Sequence, residues 1–475
     1  MKTLLIILNI FFVSFLDKPE KSAPALSPRA VEQRHKWGIG TDELDYPVSR
    51  LYLDSLRAMG AKIHHTSRWM NGATVEMNDT LAEKVRALSF VIDVEMTRDG
   101  SEPRNFWSPK RRIERESARG IPTDMTHRRY ATTDQLNTYN LTPLHSAGFE
   151  GQGILMAVCD GGFYNADTLS CFRQSELELG HFDFTDDIYD FYGPRGSHGT
   201  ECLSAISGLQ ENFKGNATKA QYYLMRSEED DTESPKEMDN LVVALETADS
   251  LGVNVFSVSL GYFIFDNSDW DLVYKDDLDG KSTRLSIAAT IAARKGMLVC
   301  IAAGNEGNSS WKWIDVPADA DSVLAVGAVN TDGYIGSFSS YGPSADGRVK
   351  PDVCAVGVYT TLIAPDGSII QSNGTSFATP LLAGLAACLW SALPDENAMQ
   401  IRERIIRSAN HYSNPTDPQY GYGIPDAWKA YTMTPESVET VEKEDETRAR
   451  KVVDGSRILI YRHGHIYNLA GQRVQ

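Results

Sequence analysis

A chain of 475 residues is long enough for two or three domains with a large core, and 42% hydrophobic residues is an ordinary globular composition. Its 64 Asp and Glu against 46 Lys and Arg give a net charge of −18, which argues against nucleic acid as a partner because phosphate binding needs a basic face. The six cysteines form no C-x-x-C pair, so a zinc or redox site has no support. We expect buried free thiols, with one disulfide as the alternative.

The chain opens with an apolar stretch, Leu4 to Leu16, that is too short to span a bilayer. It follows Lys2 and is typical of the apolar core of a signal peptide, so residues 1–25 are interpreted as a signal region without a transmembrane span. This interpretation predicts a secreted, cell-surface or periplasmic protein. A buried N-terminal strand is the alternative.

Residues 26–98 have the pattern of a small α+β unit. Ser49 and Asp79 are placed to cap two helices, and the Asn71-Gly72 pair marks a turn between two strands. The predicted order is helix, strand, strand, helix, strand, which is a split βαβ arrangement without its first strand. A charged segment, 99–130, follows and is predicted to be an exposed linker, the kind of place where proteases cut.

Strands and helices then alternate from 131 to 432. This alternation predicts the α/β class, with a parallel sheet covered by helices on both faces. Functional sites in such sheets lie at the carboxyl ends of strands. Asp160 and Asn305 both come where predicted strands end. After a second charged linker, 433–451, two extended pieces predict a β-hairpin tail over 452–475.

Ser376 lies between a Gly/Thr turn and an apolar run, 381–390, that is predicted to be a buried helix. At a helix N-terminus the unpaired N–H groups and the helix dipole favour negative charge, so a nucleophilic hydroxyl there has a site for the oxyanion that it generates. A lone Ser at a helix start is otherwise a simple cap.

Four polar residues are expected to share one end of the sheet. Each lies beside glycines that permit close backbone approach. Each of them, taken alone, could be an ordinary structural residue of a turn, cap or loop. Their combination indicates a catalytic site: Asp160, His198, Asn305 and Ser376.

These residues lie in motifs that resemble those of the subtilisin-like serine proteases, the subtilases of peptidase family S8. The stretch 374–380 is similar to the nucleophile motif, 197–200 to the histidine motif and 302–307 to the oxyanion motif. The chain order Asp, His, Ser also agrees with that family. The resemblance covers about 140–432. The Asp160-Gly161-Gly162 sequence departs from the usual Asp-Ser/Thr-Gly, as in relatives from Bacteroidetes-type bacteria.

The resemblance implies that Ser376 is the nucleophile, His198 the general base and Asp160 the residue that orients the imidazole. It places Asn305 in the oxyanion hole and implies protein or peptide substrates, with no cofactor required and no metal ligands assigned. It also implies that the substrate binds along two segments, formed by Ser259, Leu260, Gly261, Ala302, Ala303 and Gly304.

The same resemblance implies that 26–98 is a propeptide domain that assists folding and acts as an intramolecular inhibitor. The chain would then be a secreted zymogen that cuts itself within 99–130. Cys202 resembles a buried thiol beneath the active site, which predicts sensitivity to mercurials. The stretch 466–474 resembles the last strands of secretion-sorting tails, with a plain hairpin as the alternative.

Two other functions are alternatives to a protease. An inactive subtilase scaffold that serves as a cell-surface binding protein is the main alternative, and the intact motif residues speak against it. A serine esterase of the α/β-hydrolase type needs Gly-x-Ser-x-Gly and the order Ser, Asp, His, and the sequence has neither around Ser376.

Specificity is indicated only by the segment 262–281, which is rich in Asp and aromatic residues. Its carboxylates suit basic substrates or calcium, a hard cation that prefers oxygen ligands. A solvated acidic loop is the alternative.

Overall fold

The computed structural model describes residues 7–20, 22–101, 132–173, 177–186, 189–229, 231–434, 450–454, 457–462 and 465–467. The chain divides into two compact units, 1–431 and 432–475.

The larger unit begins with a four-stranded antiparallel sheet in the order β2-β3-β1-β4. Its strands and helices are β1 (Asn9–Phe15), α1 (Pro28–Lys36), α2 (Arg50–Ala58), β2 (Lys62–Ser67), β3 (Gly72–Met77), α3 (Asp79–Arg86) and β4 (Val91–Arg98). Ser49 caps α2 as predicted. The cap of α3 is Asn78 and not the predicted Asp79: the Asn78 side chain accepts from the Leu81 N–H, whereas Asp79 is the first residue of the helix and accepts from the Asn9 amide.

Strand β1 lies in the N-terminal stretch for which the sequence left two interpretations, a signal region and a buried strand. It lies inside the predicted signal region 1–25, yet it pairs with β3 on one side and β4 on the other, and Val13 is fully buried. The first strand of the N-terminal unit is therefore present, and the boundary predicted at residue 25 cuts through one sheet. A short apolar run rich in Phe, Ile and Val suits a central strand as well as a signal core, so the sequence alone does not separate them.

Seven parallel strands form the second sheet of this unit, in the order β13-β12-β11-β10-β5-β9-β6. Their bounds are β5 (Leu155–Asp160), β6 (Glu178–Asp183), β9 (Gln221–Arg226), β10 (Val255–Val258), β11 (Leu298–Ala302), β12 (Leu324–Val329) and β13 (Val353–Val356). Short elements complete the domain: α4 (Thr133–Thr138), α5 (Thr142–Ser146), α6 (Ser170–Arg173), β7 (Leu209–Gln210), β8 (Phe213–Lys214), α9 (Tyr274–Asp277), β14 (Thr360–Ile363), β15 (Ile369–Ser372) and α13 (Ala427–Thr432).

Helices cover both faces of this sheet, as the alternating pattern predicts. One face packs against α7 (Ser197–Ser207), α11 (Thr375–Ala392) and α12 (Ala398–Ser408), and the other against α8 (Pro235–Leu251) and α10 (Arg284–Arg294). A hydrophobic core lies on each side of the sheet, and alternate side chains of β5 point to opposite sides. Met156 and Val158 pack in one core, and Ala157 and Cys159 pack in the other. All six cysteines are buried and free.

In the smaller unit, the three-stranded antiparallel sheet consists of β16 (Arg450–Asp454), β17 (Arg457–Arg462) and β18 (His465–Tyr467). The two predicted extended pieces correspond to β17 and β18. Strand β16 starts one residue before the predicted end of the linker at 451. Most of the stretch that resembles a sorting tail, 468–474, lies outside the described residues, as does nearly all of the predicted linker 99–130.

Candidate active site

Asp160 and His198 come together where the central strand β5 ends and α7 begins. The His198 Nδ1 lies 2.9 and 3.0 Å from the two carboxylate oxygens of Asp160. Gly199 permits this approach, because a Cβ there would lie 2.2 Å from the Gly162 carbonyl oxygen and 2.9 Å from the Asp160 Cβ. Asp160 is fully enclosed, so its charge acts on the imidazole with little screening.

Two opposing effects set the pKa of His198. Burial is the largest single effect and lowers the pKa, but the adjacent Asp160 carboxylate and the Cys202 sulfur together raise it further, and the result is a pKa well above the ordinary value. The imidazole keeps 39% of its side-chain surface exposed, so the carboxylate outweighs the loss of hydration. A hydrogen bond from Nδ1–H to Asp160 leaves Nε2 as the atom that can accept a proton.

Ser376 is the second residue of α11 and lies in the same cleft. Its hydroxyl donates to the Ser259 carbonyl oxygen at 3.3 Å, and no hydrogen bond joins it to His198 among the described residues. Catalytic hydrogen bonds are often made only when substrate is bound. The Ser376 carbonyl has lost its usual helical partner because Pro380, four residues on, has no N–H. It accepts instead from Ser259 Oγ at 2.7 Å and from the Cys202 thiol at 3.4 Å.

Cys202 lies beneath this pair. Its sulfur is 3.8 Å from His198 Nδ1, and burial raises the pKa of the thiol to about 11 although the neighbouring imidazole lowers it. The thiol is therefore protonated at neutral pH and is a poor nucleophile. It contacts both His198 and the Ser376 backbone, so a bulky group on the sulfur would displace them.

Asn305 follows β11 and faces the start of α11. Its Oδ1 accepts from the Thr375 N–H at 2.9 Å and from the Thr375 hydroxyl at 3.1 Å, which fixes the orientation of the amide. The Nδ2 donates to none of the described residues and lines the cleft. A fixed amide donor beside the N-terminus of a helix can stabilise a developing oxyanion.

The cleft has a volume of ≈ 540 Å³ and brings together the four predicted catalytic residues. Of the predicted substrate-binding residues, all but Ala303 line it: Ser259, Leu260, Gly261, Ala302 and Gly304. Ala303 is fully buried, and its carbonyl oxygen accepts from the Asp315 N–H at 3.1 Å.

Four acidic residues of the cleft were missed by the sequence reasoning, which considered only the acidic segment 262–281. None of the residues 262–281 lines the cleft. The lining carboxylates besides Asp160 are Glu201, Glu228, Glu306 and Asp315. Their sequence signal is weak because they are scattered, although Glu306 directly follows Asn305 and Glu201 is three residues from His198.

Among the described residues, one group of His, Cys, Asp and Glu side chains is close enough to share a metal ion. It consists of Asp160, His198 and Cys202, which form the hydrogen-bonded cluster described above. One described helix, α11, is long and apolar enough to cross a membrane, but 83% of it is buried inside the protein. It is the central core helix that carries Ser376.

Two family models match the chain. Residues 151–423 match the subtilase family, and residues 10–116 match the peptidase S8 propeptide domain of Bacteroidota. The chain therefore belongs to the subtilase family and is a subtilisin-like serine protease with a propeptide domain. The propeptide match begins within β1 and so agrees with the sheet that includes that strand.

Proteins named subtilisins are similar to this chain over more than half of its length. It is 25% identical to subtilisin NAT of Bacillus subtilis subsp. natto over 87% of this chain and 94% of that protein. It is 30% identical to a subtilisin of Bacillus pumilus over 59% of this chain and 92% of that protein. The MycP1 structure from Mycobacterium smegmatis shares the fold, with a TM-score of 0.52 and 23% identity over 66% of this chain and 88% of that one.

Proposed function

We propose that this chain is an exported serine endopeptidase, made as a zymogen that processes itself. The Asp160–His198 pair, which lies in one cleft with Ser376, carries the proposal. Ser376 attacks the scissile carbonyl, His198 Nε2 takes the hydroxyl proton and returns it to the leaving amine, and Asp160 holds the imidazole and stabilises its cation.

The oxyanion is held by the Asn305 Nδ2 and the Ser376 N–H. Removal of one such donor in subtilisin lowers kcat by about 10²–10³, and we expect the same range for Asn305→Ala with KM little changed. Steady-state kinetics on a peptide anilide test this prediction. Thr375 N–H loses its acceptor in that variant, so the denaturation midpoint is measured in parallel to separate misfolding from a loss of transition-state stabilisation.

The N-terminal domain acts as an intramolecular inhibitor. Charged pairs between the two domains support this role: Arg34 and Arg68 both contact Asp249 at 2.6 Å, and Lys295 contacts Asp45 at 2.9 Å. Export rests on the propeptide class and on the subtilisin relatives, and not on Leu4 to Leu16. Cell fractionation with an antibody to the mature domain tests it.

No cofactor is required in this proposal, and calcium remains compatible with the acidic surface. The comparison of activity after dialysis against a chelator, with and without added calcium, tests for a structural ion. A fall in the denaturation temperature that calcium restores would show that such an ion is bound.

The central experiment compares wild type with Ser376→Ala by intact mass, N-terminal sequencing and fluorophosphonate labelling. We expect wild type to lose its N-terminal domain and to label, and the variant to stay full-length and unlabelled. An unlabelled wild type would instead support an inactive binding scaffold. Labelling without self-cleavage would assign maturation to another protease.

A further inference from the structure

The propeptide contacts the catalytic domain with a segment that lies outside its sheet. This segment, residues 27–45, comes between β1 and α2 in the chain, and we call it the arm. It contains α1, which begins after its cap Ser27 and whose buried residues are Ala30 and Arg34, one turn apart. A helix of nine residues is marginal by itself, so its packing on the catalytic domain stabilises it.

The first half of the arm lies on the C-terminal end of α8. The Ser27 N–H donates to the Ser250 carbonyl oxygen at 2.8 Å. Arg29 donates to the carbonyl oxygen of Gly252, the residue that ends the helix, at 3.1 Å. A Cβ on Gly252 would lie 2.8 Å from the Ala30 nitrogen, so the two backbones are in close contact. The carbonyl groups at a helix C-terminus carry partial negative charge, which the guanidinium group of Arg29 offsets.

The second half of the arm lies on the C-terminal end of α10. Lys295, the C-cap of that helix, donates to Asp42 at 2.7 Å and to Asp45 at 2.9 Å. A Cβ on the next residue, Gly296, would lie 2.9 Å from the Ile39 Cδ1. The arm therefore bridges the ends of two helices that cover the same face of the large sheet.

Four buried charges join the arm to both helices. Arg34 pairs with Asp45 of the arm and with Asp249 of α8, each at 2.6 Å, and Lys295 pairs with Asp45. The signs alternate, each domain supplies one group of each sign, and all four residues are at most 7% exposed. Burial by itself raises the pKa of Asp45, but its bonds to the Asp42 N–H, Arg34 and Lys295 hold the pKa below the ordinary value. The carboxylate is therefore charged at neutral pH.

This network exists only while the arm is docked. Arg34 and Asp45 leave with the propeptide, whereas Asp249 and Lys295 stay on the catalytic domain. Buried pairs are screened little by salt, and the loss of one member leaves its partners without a counter-charge. None of the four is among the described residues that line the cleft, so the arm can hold the propeptide whatever occupies the active site.

We propose that the ends of α8 and α10 form a second binding site of the catalytic domain, for a segment that presents one arginine and one aspartate, and that this site retains the propeptide after the chain is cut. The inference rests on the proposed self-processing. Cleavage ends the covalent link between the two domains, but the arm keeps its contacts. Activity therefore appears when the arm leaves its site, and not when the peptide bond is cut.

The test follows release of the propeptide from processed full-length chain that is captured with an antibody to the catalytic domain. Bound propeptide is quantified by immunoblot at set times, together with activity on a peptide anilide. We expect Arg34→Gln and Lys295→Gln each to speed release by about 10- to 100-fold, because loss of one member of a buried charge pair mainly raises the dissociation rate. Mature Lys295→Gln should keep the kcat and KM of wild type, because this residue lies outside the cleft.

Arg57→Gln and Lys219→Gln are the matched controls. Each removes the same kind of charge from an ion pair that lies within one domain, at side chains that are 55% and 54% exposed, and both should release the propeptide at the wild-type rate. Lys295 is a better probe than Asp249, which also pairs with Arg68 of the turn between β2 and β3. The double variant Arg34→Gln/Lys295→Gln should release only slightly faster than either single variant, because members of one network do not act additively.

Outcomes for the inference and for the proposed function are distinct. Release at the wild-type rate from both arm-site variants overturns the inference, and fluorophosphonate labelling of the same samples keeps the protease assignment intact. Equal acceleration in the two controls also contradicts it, since overall charge would then govern release. A chain that neither labels nor cuts itself overturns the proposed function.

A conservative variant covers the case in which Arg34→Gln yields no processed enzyme. Arg34→Lys keeps the charge but lacks the planar fork that reaches two carboxylates at once. It should release the propeptide faster than wild type, and an unchanged rate counts against the arm site.

Discussion

At the scale of single residues, the Ser376 carbonyl connects three parts of the active site. Pro380 removes its helical hydrogen bond, and Ser259 and Cys202 provide the replacements. The Pro inside the nucleophile motif therefore ties the start of α11 to the substrate-binding segment and to the helix that bears His198. The sequence shows that Pro380 costs a helical bond, but only the structure shows which groups use the freed oxygen.

Ser259→Ala leaves this buried carbonyl with only the weak thiol donor. We expect the free energy of unfolding to fall by about 1–3 kcal/mol, as for a buried acceptor that loses its main partner. Urea unfolding in the Ser376→Ala background measures it without self-digestion. Ser391→Ala is the matched control, because it removes a hydroxyl bonded to a carbonyl of the same helix at a partly exposed position, and it should cost much less.

The position of Cys202 predicts how the enzyme responds to mercurials. Mercury on the sulfur would push against His198 and the Ser376 backbone, so wild type should be inactivated stoichiometrically although the thiol is not catalytic. Cys202→Ala should retain most of its activity and resist the reagent, whereas Cys354→Ala, which removes another buried thiol, should stay sensitive. The activity of the three proteins after titration with a mercurial shows whether inhibition acts through Cys202. Equal sensitivity of all three would place the reactive thiol elsewhere.

At the scale of secondary structure, much of the alternating part of the chain was predictable because its inner strands are largely buried on both faces. The edge strand β6 is half-exposed and was not predicted. The apolar runs that end at Asp160 and precede Asn305 correspond to β5 and β11, with ends that differ by one or two residues. The candidate catalytic residues could be proposed from the sequence because glycine-rich turns follow those strands. The other acidic residues of the cleft could not be located in the same way. Asp315, for example, is held there by the bond of its own N–H to the Ala303 carbonyl and by the backbone pairing of the next residue, Val316, with Tyr262.

Strand β1 gives a prediction that separates the two interpretations of the N-terminus. Val13 is fully buried at the centre of the propeptide sheet, so Val13→Asp would bury an unpaired charge and cost several kcal/mol. We expect little or no mature protease from this variant. Ile92→Asp, a change at a 62% exposed position in β4 of the same sheet, should mature normally.

The yield of mature enzyme per amount of synthesised chain, followed by immunoblot, is the measurement. Normal maturation of Val13→Asp would mean that β1 takes no part in the functional propeptide, as expected if residues 1–25 were removed as a signal peptide. Loss of maturation in both variants would point to a sheet that tolerates no charge and would leave the assignment of β1 unsupported.

At the scale of the whole molecule, the contact between the propeptide and the catalytic domain contains titratable groups. His65 of β2 bonds to the Phe184 carbonyl oxygen at 2.7 Å, and burial lowers its pKa. The Lys236 and His64 charges oppose its protonation, whereas Asp186 favours it. His64 itself bridges Asp186 and Glu76, one carboxylate from each domain.

The lowered pKa of His65 determines how docking responds to pH. Above the ordinary value of 6.5 the imidazole is neutral in both the docked and the released propeptide, so docking is at full strength. As pH falls below that value, His65 of the released propeptide binds a proton, whereas His65 of the docked propeptide stays neutral because its pKa is lower. Docking therefore weakens. Each pH unit between the two pKa values corresponds to about tenfold in the docking equilibrium. Acidification should therefore speed the release of the cleaved propeptide.

Release is measured on processed full-length enzyme held for set times at pH 7.5 or 5.5 and then assayed at pH 8, so that every sample is assayed at the same pH. Wild type should gain activity faster after the acidic interval. His65→Gln should lose most of this difference, whereas His35→Gln, at an exposed position of α1, should keep it. If acid speeds release equally in His65→Gln, the sensitivity must come from other groups of the contact, and the double variant that also carries His64→Gln tests the nearest of them.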